Sequence, residues 1–189
     1  MPRLAEHGRP PRWNALYETA AGQAGYFTLA EAVEAGYSSQ LLRYYVEIGR
    51  IERWARGVFR LVHFPASDRE DLVPVWLWSE RRGVFGLETA LSVHGLSDTL
   101  PRHHDLILPA IDRVRRRKAP PGVRIMFDDV AKDEREWHGA VPVTTVLRTL
   151  RDCTRHHVAP DLTRQALREA QARRLLTRAE ARALAKAAA

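Results

Sequence analysis

The sequence predicts an α+β protein of two domains, with helices and a hairpin first and a mixed α/β domain that ends in helices second. Residues 13–49 contain three short helical patterns that end at glycines. The apolar period then changes from 3.6 to 2 over residues 50–61, which indicates strands. After residue 67, short helical and strand-like segments are interspersed before two alanine- and arginine-rich helices close the chain.

The first helix is predicted from apolar residues at i, i+3, i+4 and i+7 spacing. Its apolar face consists of Trp13, Leu16, Tyr17, Ala20 and Ala24. Gly25 is placed to end it. The ten or so residues before it are rich in proline, glycine and arginine, which predicts a loosely ordered terminus.

Capping residues mark the next two helices. Thr28 and Glu31 have capping-box spacing, so a second helix begins at about residue 28 and stops at Gly36. Ser38 or Ser39 caps a third helix, which runs to residue 49.

The segment "RIERWARGVFRL" (50–61) alternates apolar and polar residues on both sides of the loop "ARG". Two short strands around a three-residue, glycine-containing loop predict a β-hairpin. The order of elements is two helices, a turn, a third helix and a hairpin, which is the order of a winged helix-turn-helix. This domain is predicted for residues 12–64. The wing must follow the third helix closely to flank the same DNA groove.

The second domain is predicted for residues 67–189. "SDRE" (67–70) offers a capping box for a helix to about residue 80, and "GLETALSVHG" (86–95) is a short helix. The predicted strands are "DLILPA" (105–110) and "GVRIMF" (122–127), and "GAVPVTT" (139–145) is a third strand or a turn. "TTVLRTLRDCTRHH" (144–157) is a helix, and two more follow, the last beginning at a "TRAE" capping box (177–180).

Composition limits the class of protein. The net charge is +7, with 10 basic and 4 acidic side chains in residues 141–189, which favours a polyanionic or acidic partner. No apolar run approaches the roughly 20 residues of a membrane-spanning helix. The single cysteine excludes an internal disulfide framework and is typical of the reducing cytoplasm.

The third helix is the first candidate site. If Leu42, Tyr45 and Val46 pack inward, the opposite face carries Ser39, Gln40, Arg43, Tyr44 and Glu47. Glutamine and arginine are the side chains that commonly contact adenine and guanine in the major groove. The hairpin arginines Arg53, Arg56 and Arg60 could neutralise phosphates or enter a minor groove. The alternative is a winged helix used for protein contact, with an ordinary solvated face.

The densest positive charge lies in one loop, formed by Arg113, Arg115, Arg116, Arg117 and Lys118. This loop could bind phosphates or an acidic partner, or it could be a hairpin tip kept soluble by its own repulsion.

The sequence predicts no metal site, no cofactor and no catalytic activity. Cys153, His156 and His157 lie close together but lack a paired metal-binding motif. Asp128, Asp129, Asp133 and Glu134 could suggest a metal-dependent nuclease. The acidic-x-Lys pair that such an enzyme uses is absent, as are a nucleotidyltransferase motif, a P-loop and GxSxG.

The chain resembles the AbiEi family of antitoxins, from bacterial toxin–antitoxin and phage-defence operons. The resemblance lies in "GYFTLAEAVEAGYSSQLLRYYVEIGRIERWARGVFRL" and in the series "ETALSVHGLSDTLPRHHDLILP", "GVRIMFDD" and "GAVPVTTVLRTLRDC". Membership implies a winged helix that binds inverted repeats in the promoter of its own operon and represses it. It also implies a second domain that counteracts a cognate nucleotidyltransferase-like toxin, in the usual account without a stable complex.

The DNA-contact positions implied by the resemblance are Ser38, Ser39, Gln40, Arg43, Tyr44, Arg53 and Arg56. Two alternatives remain open. The same N-terminal module also heads proteins with a Vsr-like nuclease domain, and a winged helix can serve as a protein–protein adaptor.

Overall fold

The structure is a computed structural model that describes residues 10–66, 70–98, 100–115 and 118–187. Two compact units are present, Met1–Arg81 and Arg82–Ala189. The sequence placed the boundary at 64–67, whereas the structure divides later because the helix Leu72–Trp78 contacts strands of the first unit. The predicted loose N-terminus (1–9) and the start of the "SDRE" capping box lie outside the described residues.

The first unit has the order of a winged helix-turn-helix, with three helices, a hairpin and one further strand and helix. Its three-stranded antiparallel sheet has the order β1-β3-β2. The elements are α1 (Trp13–Ala21), β1 (Tyr26–Thr28), α2 (Leu29–Glu34), α3 (Ser39–Glu47), β2 (Ile51–Ala55), β3 (Val58–Leu61) and α4 (Leu72–Trp78).

The strand β1 was missed by the sequence analysis, which extended the first helix towards Gly25. The helix ends at Ala21, and the chain turns through Ala24 and Gly25, both with positive φ, into β1. Phe27 pairs with Phe59 in β3, and their rings stack with centroids 5.7 Å apart. A three-residue strand has too few positions for an alternation pattern to stand out in the sequence.

The core of the first unit joins all three predicted helices to the sheet. It is built from Leu16, Ala20, Phe27, Ala32, Ala35, Tyr37, Leu42, Ile51, Phe59 and Leu61. Trp13 and Tyr17, which were expected on the buried face of α1, are instead exposed at its edge. Their rings lie beside Tyr45 and Phe64, with centroids 6.4 and 6.0 Å apart.

The hairpin is tighter than predicted. Ala55 pairs with Val58, so only Arg56 and Gly57 form the loop, and the extra residue is accommodated by an irregularity between Arg53 and Ala55. The carbonyl oxygen of Gly57 accepts a hydrogen bond from the Leu29 N–H at 2.9 Å. The loop of the wing is therefore attached to the first residue of α2.

The second unit is a five-stranded mixed sheet, with the order β6-β5-β4-β8-β7, and four helices in its described part. This arrangement confirms the α+β class. The elements are β4 (Val84–Phe85), α5 (Leu87–Val93), β5 (His104–Leu108), β6 (Val123–Phe127), β7 (Arg135–His138), β8 (Val141–Thr144), α6 (Val146–Arg155), α7 (Pro160–Ala172) and α8 (Arg178–Ala187).

The strands β5 and β6 are parallel, so the basic loop between them is a crossover and not the tip of a hairpin. Parallel neighbours cannot be joined by a tight turn, which explains the length of the connection and its 3-10 helix, Ala110–Arg115. The short strands β4 and β7 were not predicted.

The helices of the second unit share one apolar cluster. It contains Leu87, Leu91, Leu96, Leu150, Cys153, Val158, Ala166, Ala170 and Leu184. The "TRAE" capping box is present, since the hydroxyl of Thr177 accepts from the N–H of Glu180 and the Glu180 carboxylate accepts from the Thr177 N–H. Within the described residues, no helix is long and apolar enough to cross a membrane.

Substitution of Gly25 tests the turn into β1. A Cβ at Gly25 would lie 2.6 Å from Cβ of Phe64, whereas Gly49, also with positive φ, has open space around it. We expect Gly49→Ala to cost about 1–2 kcal/mol for its left-handed backbone. Gly25→Ala should cost about 1–3 kcal/mol more because of overpacking. Urea unfolding of the full-length chain measures both, and equal losses would contradict the tight contact.

Candidate nucleic-acid interface

The helix α3 is fixed by its buried side. The Ser38 hydroxyl caps the helix by accepting the Leu41 N–H at 3.1 Å. Leu42 is fully buried, and Tyr45 and Val46 pack against the same core. These contacts determine which side of the helix faces solvent.

The outward face of α3 is polar and exposed over its whole length, as the sequence predicted. Its residues are Ser39, Gln40, Arg43, Tyr44 and Glu47. Ser38 precedes them at the N-cap, where its hydroxyl oxygen already serves the helix. A helix held by one apolar row, with its polar face open, has the form that enters a major groove.

Arg43 is the most prominent cation of this face. Its side chain is 82% exposed, and Nε donates to Oε1 of Glu47 at 3.1 Å, one turn along the helix. Such solvated i,i+4 pairs contribute only about 0.3–0.5 kcal/mol. A nucleic-acid acceptor could therefore replace Glu47 at little cost.

Aromatic side chains support the helix next to this face. Tyr44 is 54% exposed and meets Tyr45 edge-on, with ring centroids 5.8 Å apart. Tyr45 also contacts Tyr37, with centroids 5.9 Å apart, and burial raises the pKa of the Tyr37 hydroxyl. The exposed Tyr44 ring is thus backed by a packed aromatic cluster.

The start of α2 is held by a polar network around Glu31. The carboxylate accepts from the Thr28 N–H at 2.7 Å and from the Thr28 hydroxyl at 2.9 Å. It also accepts from the Gln23 amide at 3.2 Å and is ion-paired with Arg81. The network fixes the helix that precedes α3 in the helix-turn-helix.

The wing carries two of the predicted cations on its surface. Arg53 in β2 and Arg56 in the loop are exposed. Arg50, which the sequence analysis did not single out, is also exposed and lies between α3 and β2. Its position at the junction of α3 and the hairpin was the signal that could have identified it.

Arg60 is not a surface cation of the wing, which corrects the expectation from sequence. Its side chain is only 18% exposed, and Nη2 lies 3.3 Å from Oε2 of Glu70. The guanidinium also lies over the Tyr26 ring, 5.6 Å from its centroid. Arg60 is in the central strand β3, opposite Tyr26 of β1 and Glu52 of β2.

The basic loop of the second unit is partly engaged in contacts within the chain. Arg113 lies over the Phe127 ring at 5.6 Å, and Nε of Arg115 lies 3.1 Å from Oδ1 of Asp112. Lys118 is exposed. Arg116 and Arg117 lie outside the described residues.

Two carboxylates of the acidic run considered for a nuclease, those of Asp128 and Glu134, are bound to a buried arginine. Arg148 in α6 places Nη2 at 2.6 Å from Asp128 and Nε at 2.8 Å from Asp152, and Nη1 also pairs with Glu134. Burial opposes the charge of Arg148, but its hydrogen bonds to Asp152 and Glu134 raise its pKa overall. These carboxylates hold the fold together around a cation supplied by the chain.

Cys153, His156 and His157 do not share an environment. Cys153 is fully buried, and burial raises the pKa of its thiol, whereas both histidines are exposed. Within the described residues, a different set brings potential metal ligands together, namely His94, Glu136 and His138.

The set consisting of His94, Glu136 and His138 was missed by the sequence analysis. Nε2 of His138 lies 3.1 Å from Oε1 of Glu136, and Nδ1 of His94 lies 3.5 Å from the same oxygen. Burial lowers the pKa of His94, although its hydrogen bond to the Thr144 carbonyl opposes the change. Glu-x-His on a strand was the available signal, because alternate residues share a face.

The geometry of α2, α3 and the hairpin defines the first unit as a winged helix-turn-helix with an open polar helix face. Residues 14–62, from the second residue of α1 to just past β3, match the family model described as "Transcriptional regulator, AbiEi antitoxin". The match confirms, over this segment, the resemblance to the AbiEi family. No curated protein matches the chain.

Replacement of Arg148 tests the role of the acidic run. Arg148→Met leaves three carboxylates without their shared cation, and we expect it to destabilise the second unit by about 3–5 kcal/mol. Arg151, 58% exposed and 4.0 Å from Glu134, provides the control. Arg151→Met should change stability by less than about 0.5 kcal/mol. Urea unfolding measures both, and similar small losses would show that the Arg148 cluster is not structural.

Proposed function

We propose that the protein is a DNA-binding antitoxin that represses the promoter of its own operon and counteracts a nucleotidyltransferase-like toxin encoded beside it. The observation that carries the DNA-binding half is the exposed polar face of α3, held from behind by Leu42 and followed at once by an arginine-bearing wing. The family match over residues 14–62 supports the regulatory role. A bacterial promoter lies in the cytoplasm, where the protein would act.

In this proposal α3 enters the major groove of promoter DNA. Residues near the N-terminus of a recognition helix contact base edges, which assigns Ser39, Gln40 and Arg43 to the bases. Glutamine can pair with adenine through two hydrogen bonds, and arginine with guanine. Tyr44 would contact the sugar–phosphate backbone or a thymine methyl group, and Ser38 would bind a phosphate through its hydroxyl proton.

The wing supplies positive charge beside the same groove. Arg53 and Arg56, with Arg50 at the junction, would neutralise phosphates and so contribute affinity that does not depend on sequence. Inverted repeats present two equivalent half-sites, so two copies of the chain would bind one operator.

The antitoxin half of the proposal rests on the family description and not on a site geometry. The exposed Lys118 and the neighbouring arginines of the basic loop are the candidate surface in the second unit. Coexpression with the neighbouring toxin gene tests this half. The wild-type protein should restore the growth of cells that express the toxin. If it represses the promoter but does not restore growth, the antitoxin role would be excluded and the repressor role would stand.

A nuclease is the alternative from another class, and Asp128 and Glu134 are the carboxylates on which it would depend. Both carboxylates are ion-paired with Arg148, so they are not free to bind a metal ion as a pair. Metal-dependent cleavage of plasmid DNA that disappears in Asp128→Ala would favour the nuclease over the repressor. A stoichiometric protein partner recovered without DNA would favour an adaptor.

The first DNA-binding prediction concerns sequence specificity. Arg43→Ala should lose about 1–3 kcal/mol of binding free energy on the promoter and far less on random DNA. Glu47→Gln is the matched control, because it removes the ion-pair partner and leaves Arg43 in place; its affinity should be unchanged or higher. Fluorescence anisotropy at about 0.15 M salt measures these values. Equal affinity of the wild type for promoter and random DNA would exclude specific repression.

The second DNA-binding prediction concerns the wing. Arg56→Ala should weaken binding to all sequences alike and reduce the slope of log K against log salt by about 1. Arg168→Ala, an exposed arginine of the second unit, is the control and should leave the slope unchanged. A loss confined to one DNA sequence would mean that Arg56 contacts a base.

A further inference from the structure

Three potential ligand side chains converge at the edge of the second sheet. Glu136 and His138 lie two residues apart on β7, so their side chains share one face of the strand. His94, the C-cap residue of α5, meets them from the neighbouring element. The ligand atoms of all three lie within 4.8 Å of one another.

The two separations that involve Glu136 match those around a tetrahedral ion, and the ligand atoms of the two histidines lie within 4.8 Å of each other. Oε1 of Glu136 lies 3.1 Å from Nε2 of His138 and 3.5 Å from Nδ1 of His94. Zinc bonds of about 2.0–2.1 Å at tetrahedral angles place neighbouring ligand atoms about 3.3 Å apart. One ion could therefore contact all three groups after the two imidazoles adjust around Glu136.

The orientation of His94 is fixed from behind. Its Nε2 lies 2.7 Å from the carbonyl oxygen of Thr144, which can only accept, so Nε2 carries the hydrogen. The Nδ1 lone pair then faces the Glu136 carboxylate. The Nδ1 lone pair and the carboxylate oxygen both donate electron pairs, so a cation bound between them would interact favourably with both. Metal-bound histidines typically donate their other ring N–H to a backbone carbonyl in this way.

The cluster is accessible to an ion. Glu136 is 47% exposed, and it lines with His94 and His138 an open cavity of about 490 Å³. Arg173 lines the same cavity and is anchored by the carbonyl oxygens of His94 and Gly95, at 2.8 and 3.2 Å. Its positive charge opposes the binding of a cation in this cavity, whereas the Glu136 carboxylate favours it.

The ligand chemistry selects the class of ion. Two imidazoles and one carboxylate suit zinc and its neighbours among the transition metals, whereas calcium and magnesium require oxygen ligands. We propose that His94, Glu136 and His138 form a binding site for one divalent transition-metal ion, with zinc as the best match. The bound ion would join β7 to the end of α5 and stabilise the second unit. This inference does not depend on DNA binding.

Zinc binding by the full-length, tag-free chain tests the site. After chelator treatment and equilibrium dialysis against zinc chloride, we expect one zinc per chain by atomic absorption. Glu136→Gln keeps the size of the side chain, and His138→Asn replaces the imidazole with a smaller amide; each should weaken zinc binding by at least about 10-fold. His157→Asn removes an exposed histidine outside the cluster and should bind zinc as the wild type does.

Two further measurements distinguish a built site from surface binding. Cobalt should give the intense visible absorption of a tetrahedral complex in wild type and His157→Asn, and not in His138→Asn. Zinc should raise the Tm of the wild type and leave that of His138→Asn unchanged, although both fold without metal. No zinc on the wild type in excess zinc, or equal zinc on His138→Asn and His157→Asn, would overturn the proposal.

Discussion

The short antiparallel pairing between β1 and β3 is the constraint on which the first unit depends. It brings Phe27 against Phe59 in the core and ties Gly25 to Leu61 through a backbone hydrogen bond. At the other end, the Leu29 N–H bonds to the carbonyl of Gly57 in the wing. The helix-turn-helix and the hairpin are consequently held at a defined separation. A recognition helix and a wing can contact one DNA duplex together only if that separation is fixed.

The elements of the first unit that could be predicted from sequence are those specified by local chemistry. The Thr28–Glu31 capping box and the Ser38 cap begin α2 and α3 where the sequence indicated, and Leu42 determines the outward face of α3. What could not be predicted depends on pairing between distant residues. In the sequence, Arg60 cannot be distinguished from the exposed arginines of the wing. In the structure it pairs with Glu70 and lies over the ring of Tyr26.

The second unit shows the same division between local and distant information. The Thr145 cap was not predicted, whereas the Thr177 cap, the helix it begins and the helix over residues 144–157 followed from the sequence. The parallel pairing of β5 and β6 did not, because nothing local distinguishes a crossover from a long hairpin loop. The sequence analysis set aside a nuclease at the acidic run because the acidic-x-Lys pair is absent. It could not predict that Asp128 pairs with Arg148, since sequence spacing does not reveal which cation a carboxylate meets. The proximity of His94 and His138 could not be predicted for the same reason, because the two residues are far apart in the chain.

Cys153 has a practical consequence for studies of the chain in solution. It is the single cysteine, it lies in the apolar cluster of the second unit, and burial holds its pKa above the usual range of a thiol. The reactive thiolate can form only when α6 opens to water. The rate at which Cys153 is alkylated would therefore measure the free energy of opening of the second unit, and no added probe is needed. Oxidants that modify exposed thiols would leave Cys153 unmodified in the native chain, so a redox signal has no direct access to this thiol.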